Sequence, residues 1–426
     1  MKYSGVEWIG EIPDKWVLER LQWHLDEIKE SNDPVKTTQI LSLTNKLGVI
    51  PYEEKGEQGN KAKENVNEYK VAYPNTIVAN SMNILIGSVG KCDYFGCVSP
   101  VYYVFKPKEN ENIDFLNYIF QSTQFQKELR RYANGILEIR LRVSSSDILK
   151  RYIAFPSEEE QKRIVDFLNK KTVEIDSLID IENQQIEKLK EYKQAVITEA
   201  VTKGLDKNVA MKDSGVQWIG KIPEGWSIKR AKFIAEEFIK GSGITKEDVV
   251  IDGDIPCVRY GEIYTKYDNY FNECVTRTNL SNVPSPTFIE KGDLLFTCTG
   301  ELVEEIGKNV LYLGDKKCLA GGDIIVMKHK QHPGFINYAM NCTRSQMQKS
   351  YGKAKLKVVH ISTLGIGNVY VCLPSYTEQK NISDYLDDFT ESINKIISIK
   401  QQKICQLNEY KKSIIYEYVT GKKEVC

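Results

Sequence analysis

Histidine is nearly absent from this chain: four in 426 residues, His24, His329, His332 and His360. So few, so dispersed, give no metal centre and no nucleophile–base pair. His329 and His332 are close, but Pro333-Gly334 follows them and points to a solvated loop. Cysteine reaches ten, yet no Cys-x-x-Cys pair occurs, and the nearest two, Cys92 and Cys97, have four residues between them. That pattern suits reduced, mostly buried thiols better than a metal or disulfide framework. Apolar runs stop far short of the ~20 residues needed to cross a bilayer. Met1-Lys2-Tyr3-Ser4-Gly5 lacks the apolar core of a secretion signal, so a cytoplasmic protein is expected. An excess of charge is missing as well, with Lys+Arg 58 against Asp+Glu 58. The balance argues against a protein that coats nucleic acid non-specifically, while leaving local charge open.

Signatures of chemistry are equally scarce. Each Gly-Lys (at Gly90, Gly220, Gly307, Gly352 and Gly421) is followed by Cys, Ile, Asn, Ala or Lys, never by the Ser or Thr of a phosphate-binding loop. Gly241-Ser242-Gly243 and Gly365-Ile366-Gly367 lack the third glycine of a dinucleotide fingerprint. Ser99-Pro100-Val101-Tyr102 is a poor imitation of the Asn/Asp-Pro-Pro-Tyr/Phe run of an amino-methyltransferase. Asp293, Glu301, Glu304 and Glu305 are close enough in sequence to suggest a nuclease metal site, but solvated loop charge explains them better. No catalytic or metal-ligating residue is assigned.

What the chain does contain, it contains twice. Ser4-Gly5-Val6-Glu7-Trp8-Ile9-Gly10-Glu11-Ile12-Pro13-Asp14-Lys15-Trp16 returns as Ser214-Gly215-Val216-Gln217-Trp218-Ile219-Gly220-Lys221-Ile222-Pro223-Glu224-Gly225-Trp226, an offset of 214 − 4 = 210. Glu160-Gln161-Lys162, Ile164 and Glu191-Tyr192-Lys193 return as Glu378-Gln379-Lys380, Ile382 and Glu409-Tyr410-Lys411, an offset of 378 − 160 = 218. A period of half the chain is duplication rather than a solenoid array. Each half therefore reads as a tryptophan turn, a variable domain and a long charged helix.

The variable domains read as α+β globules. In the first, strand-like runs occupy 39–43, 76–80, 84–86 and 101–105, a helical period runs through Phe115, Ile119, Phe120, Phe125, Leu129 and Tyr132, and a further strand-like piece spans 136–143. In the second, strands are expected at 255–260, 294–297 and 323–327. Ser157 to Glu160 and Ser375 to Glu378 form capping boxes. The first opens an unbroken helical pattern of about 45 residues, about 65–70 Å at ~1.5 Å per residue. Its apolar stripe includes Ile164, Leu168, Ile175, Leu178, Ile186 and Leu189, and the second includes Leu386, Ile393, Ile397, Ile404 and Leu407. Glu182 and Lys193 on the first stripe suggest a loosely packed or partner-facing coiled coil. Neither stripe can remain in water, so the helices are expected to pack on each other, antiparallel. The expected organisation is α+β with internal pseudo-duplication: globule 1–155, helix 156–205, globule 206–373 and helix 374–426.

Positive charge is local. The stretch from Arg130 to Arg151 holds Arg130, Arg131, Arg140, Arg142, Lys150 and Arg151 against Glu138 and Asp147. Arg344 to Lys357 holds Arg344, Lys349, Lys353, Lys355 and Lys357 with no acid. Alternation in a strand would put Arg140 and Arg142 on one face, and Lys353, Lys355 and Lys357 likewise. Basic strands at matching places in both halves point to phosphate or base-edge contact. Asn80, Asn83, Ser88 and Lys91 accompany them in the first half, and Arg259, Tyr260, Thr299 and Lys308 in the second, as side chains suited to base edges and phosphates.

The arrangement resembles the specificity (S) subunit of Type I restriction-modification enzymes. The resemblance rests on Trp8-Ile9-Gly10-x-Ile12-Pro13-x-x-Trp16 and its copy, and on Pro156 and Pro374 ahead of their Glu-Gln-Lys-x-Ile runs. Asn80-Ser81-Met82, Gly96 to Tyr102, Gly292 to Leu295 and Gly307-Lys308 look like segments of that family's target-recognition domains. It implies that each globule is a target-recognition domain reading half of a bipartite double-stranded DNA site. The helices would set the unread spacer and dock two methyltransferase subunits, with a motor-nuclease subunit as a further partner. Cofactors would then belong to the partners: S-adenosylmethionine, ATP and Mg, none in this chain. The rival readings are a coiled-coil protein-interaction scaffold with no DNA role and a metal-dependent nuclease using Asp293 and Glu301.

Overall fold

The computed structural model describes residues 1–44, 48–56, 62, 65–135, 141–353 and 358–425. The chain divides into two compact units, one of Met1–Asn183 with Gln401–Cys426 and one of Gln184–Lys400. Each unit is a mixed helix-and-sheet lobe together with a piece of both long helices, which run Glu158–Lys203 and Tyr376–Val419.

In the first unit an antiparallel sheet is ordered Leu25–Ile28, Tyr102–Pro107, Thr76–Asn80, Val89–Cys92. Its period of two sorts the side chains. Ile77, Ala79 and Phe105 face the main core with the helices, and Val78 and Val104 face a smaller core with Leu41, Val49 and Val98. Helices Ile113–Gln121 and Thr123–Arg130 cover one face, the first opened by Asn112, whose side chain accepts from the Asp114 and Phe115 amides. Phe115, Ile119, Phe120, Phe125 and Leu129 are buried as their spacing requires. The 84–86 run is a 3-10 turn instead of a strand, because Gly87 closes it in the left-handed conformation (φ 87°).

The second unit keeps this frame and enlarges the interior. Its five-stranded sheet is ordered Ala235–Lys240, Ile324–His329, Leu294–Thr297, Asn309–Tyr312, Tyr270–Phe271. A second sheet of Thr276–Thr278, Ile255–Val258, Cys318–Ala320 and Phe288–Ile289 has, among the described residues, no four-stranded counterpart in the first. The expected strand at 255–260 ends at Val258, since Arg259 caps a helix beginning at Tyr260. Cys274 and Cys318 are joined as a disulfide, whereas Cys92, Cys97, Cys257, Cys342 and Cys372 are free and buried.

The repeated sequence makes repeated bonds. Val6 N–H donates to Ser4 Oγ (3.2 Å) and Gly10 N–H to the Val6 carbonyl (2.8 Å); Val216 N–H donates to Ser214 Oγ (3.1 Å) and Gly220 N–H to the Val216 carbonyl (3.0 Å). Trp16 and Trp226 are buried at equivalent places. Trp226 donates to Glu378 Oε1 (3.1 Å), so the carboxylate expected to cap the second helix holds the tryptophan, while Ser375 Oγ accepts the Glu378 amide (3.3 Å). In the first unit Gly421 ends the second helix at φ +71°, and a Cβ there would come within 2.4 Å of Pro13.

The helices pair antiparallel within each unit. In the first, Phe167 meets Tyr418 (4.4 Å between ring centroids), Asp176 meets Lys411 (2.7 Å) and Glu182 meets Lys403 (2.6 Å). In the second, Tyr192 meets Phe389 (5.6 Å), Lys193 donates to Asn394 Oδ1 (3.0 Å) and Lys400 donates to Gln185. Partner numbers fall on one helix as they rise on the other. Glu182 and Lys193 thus have internal partners. No helix among the described residues is long and apolar enough to cross a membrane.

Candidate nucleic-acid interface

The sheet of the first unit delivers its candidates unequally. Strand Thr76–Asn80 runs into a turn that Asn80 itself closes: its Oδ1 accepts the Met82 amide (3.0 Å) and its N–H donates to the Ser88 carbonyl (3.0 Å). Asn80 and Ser88 are both buried, so neither reaches a base in this structure. Asn83, in the same turn, is exposed. Lys91 is bound to Asp114 at the start of the covering helix (3.0 Å). Arg142 arrives from 60 residues further along, exposed, its Nη2 3.6 Å from Met82 Sδ. The main chain holds it there. Asn134 and Arg142 exchange both N–H···O bonds (2.8 and 2.9 Å), and Tyr103 Oη donates to the Val143 carbonyl (3.1 Å). Met82, Asn83 and Arg142 therefore share one exposed corner.

Two neighbouring arginines have partners within the chain. Arg131 pairs with Glu7 (2.6 Å), and Arg151 stacks 3.5 Å above the Tyr132 ring while donating to the Asp147 carbonyl (2.8 Å). Arg140, Lys355 and Lys357 lie outside the described residues.

The second unit builds a corner from matching elements. Thr299-Gly300 pairs with Val359-His360, and Thr299 Oγ1 lies 3.1 Å from His360 Nδ1. Tyr264 Oη bonds Thr297 Oγ1 (2.7 Å) and the Thr299 carbonyl (3.2 Å), fixing the turn from below, and Lys353 Nζ donates to the His360 carbonyl. Arg259 is committed elsewhere: its guanidinium pairs with Glu262 (3.2 Å), its N–H donates to the same carboxylate (3.0 Å), and its Nε is buried without a partner. Tyr260 beside it is exposed. Lys308 donates to the Tyr267 carbonyl (3.3 Å), and burial lowers its ammonium from the ordinary lysine range. It borders a separate cleft of about 900 Å³, lined among others by Lys193, Asp268, Tyr338, Asp387 and Asn394.

Lys349, counted above as surface charge, is interior. Its Nζ donates to the Gly307 carbonyl (2.6 Å), and burial pushes its pKa down to about 7. Its polar sequence neighbours, Gln348 and Ser350, gave no sign of this. His360 carried no signal because isolated histidines usually decorate surfaces or cores. Asp293 is held by Lys328 (3.0 Å) and by the Glu290 amide (2.9 Å), a turn-closing role that explains this carboxylate without a metal.

The stripe residues are mostly spent inside the chain. Ile164, Leu168 and Ile175 join the first core with Ile414, Ile415 and Val419; Leu386 joins the second; Ile186, Ile393 and Ile397 are buried, and Leu189, Ile404 and Leu407 half-buried. Leu178, at 44% exposure, stays accessible, as do Val173 and Ile181 nearby. Burial in helix pairing corrects the expectation that the stripe as a whole is a docking surface.

Each unit thus combines a mixed helix-and-sheet lobe, an exposed polar corner and a stretch of paired long helices. Residues 24–191 match the Type I restriction modification DNA specificity domain. The chain is 25% identical over 279 residues to the Type I restriction enzyme MjaVIII specificity subunit of Methanocaldococcus jannaschii. That match covers 63% of this chain and 61% of the relative, so it spans less than two thirds of the relative's length. Two solved structures share the fold at 14% identity. One, from work on complex assembly and conformational transition of the type I R-M system, has a TM-score of 0.72 over 97% of this chain and 100% of that one. The other, the HsdS subunit of Thermoanaerobacter tengcongensis, has a TM-score of 0.50 over 97% and 98%. Residues 24–191 thus match the Type I restriction modification DNA specificity domain, and the chain is similar to specificity subunits of Type I restriction-modification systems.

Proposed function

We propose that this chain selects the DNA address of a Type I restriction-modification complex, each lobe reading one half of a bipartite duplex site. The observation that carries the reading is one frame built twice around different interiors, with an exposed corner of different chemistry in each. Identical lobes would read a symmetric site; unlike lobes suit an asymmetric one. The chain itself performs no bond-making in this scheme. Two methyltransferase subunits supply S-adenosylmethionine chemistry, and a motor-nuclease subunit supplies ATP- and Mg-dependent cleavage. The long helices set the number of base pairs left unread and offer exposed positions such as Leu178 to the methyltransferase subunits. A cytoplasmic site of action follows from that role.

Methylated positions in genomic DNA from cells with and without this chain test the reading. A bipartite methylated sequence that disappears with the chain is the expected result. Unchanged methylation, or metal-dependent cleavage by the isolated chain, would overturn it.

A further inference from the structure

The two exposed corners are built at the same place in both copies. Met82 stands eight residues before Gly90 and Thr299 eight before Gly307 (90 − 82 = 8; 307 − 299 = 8), each glycine preceding a lysine. Arg142 stands fourteen residues before Pro156 and His360 fourteen before Pro374 (156 − 142 = 14; 374 − 360 = 14). Both pairs are in contact, across 60 and 61 residues of chain respectively. Duplication therefore preserved the contact and changed its chemistry, whereas Ser4, Trp16 and their copies kept both.

We propose that this contact is the base-reading point of each lobe, Arg142 beside Met82 reading a guanine and His360 held by Thr299 reading a purine N7 edge. The inference rests on the DNA-reading function proposed above. Arg142 is exposed, and among the described residues no carboxylate pairs with it; the contact it makes is with a thioether, a weak acceptor that leaves its donors available. A free guanidinium fork matches guanine O6 and N7 together, which no other base presents. His360 is exposed too, and its Nδ1 faces the Thr299 hydroxyl. When that hydroxyl donates, the ring proton sits on Nε2, a single donor suited to the N7 shared by adenine and guanine. The first lobe then fixes one letter, and the second separates purine from pyrimidine at its position. Lys353 and Tyr264, which hold the His360 and Thr299 carbonyls, act as positioning residues.

The test is selection from a random duplex library by the chain assembled with its methyltransferase subunits, with the enriched sequences read out. Wild type should give a bipartite motif; an absence of any motif would overturn the DNA-reading function itself. Arg142→Ala should flatten one guanine column in one half-site, a roughly 5- to 150-fold loss of preference, with the other half-site intact as the control for folding. Arg142→Lys keeps the charge without the fork, so it should retain binding while losing the same column. His360→Ala should relax a purine column in the opposite half. If both variants keep the wild-type motif, or lose affinity for every sequence alike, the base-reading assignment is overturned while the bipartite motif of the wild type still stands.

Discussion

Asp387 and Asn169 occupy matching places in the two units and do the same job. Tyr118 Oη donates to Asn169 Oδ1 and Tyr338 Oη to Asp387 Oδ1, both at 2.7 Å, tying lobe to helix in each unit. Burial raises the Asp387 carboxyl above its ordinary value of 3.8 despite the tyrosine bond, so ionisation there costs stability. The folded state holds this proton more tightly than the unfolded state does. Stability from this group is therefore greatest in acid and declines as pH rises through the window just above 3.8. Asp387→Asn, the residue of the first unit, should raise the melting temperature near neutral pH and flatten its slope as pH rises above 3.8. Thermal melts across that range check it; an unchanged slope would show that the carboxyl does not titrate in the window.

At the level of elements, the helices divide their apolar residues between two tasks. Leu168 is fully buried in the first core, whereas Leu178 is 44% exposed ten residues later on the same helix. Leu168→Ala should cost about 2–5 kcal/mol in denaturant unfolding, because it leaves a cavity that close-packed neighbours cannot fill. Leu178→Ala should stay within about 0.5 kcal/mol of wild type. Its effect should appear instead as weaker retention of methyltransferase subunits on co-purification. Equal behaviour of the two variants in both measurements would contradict the division. The cross-helix pairs Asp176–Lys411 and Glu182–Lys403 add register more than stability, since partly exposed ion pairs contribute about 0–1 kcal/mol.

For the whole molecule, the equal counts of Lys+Arg (58) and Asp+Glu (58) accord with the proposed role, in which this chain chooses among sequences and partner subunits grip phosphates. The first lobe's interior could then be exchanged without touching the other. Replacing residues 24–149 with the corresponding lobe of a relative should rewrite one half of the methylated motif completely and leave the second half as it was. Sequencing of methylated DNA checks it, and change in both halves would show that the lobes do not read independently.

The duplication, the tryptophan turns and the two long helices were legible in the residues because each depends on local periodicity and short-range bonds. Ser4 and Ser214 close their turns on the valine two residues on, and Ser375 caps from three residues away. The candidate corner was legible only in part. Asn80 and Ser88 have the chemistry of base readers but are consumed by a turn, and Lys349 has the composition of a surface charge yet lies in the core. The sequence by itself determined that there are two lobes and what frames them. Tertiary structure alone decided that Arg142 meets Met82, that His360 meets Thr299, and which leucines the helix pair hides. Those contacts join residues 60 or more apart, or a central helix and a C-terminal one separated by a whole lobe, and such pairings follow from packing in space rather than from any local pattern.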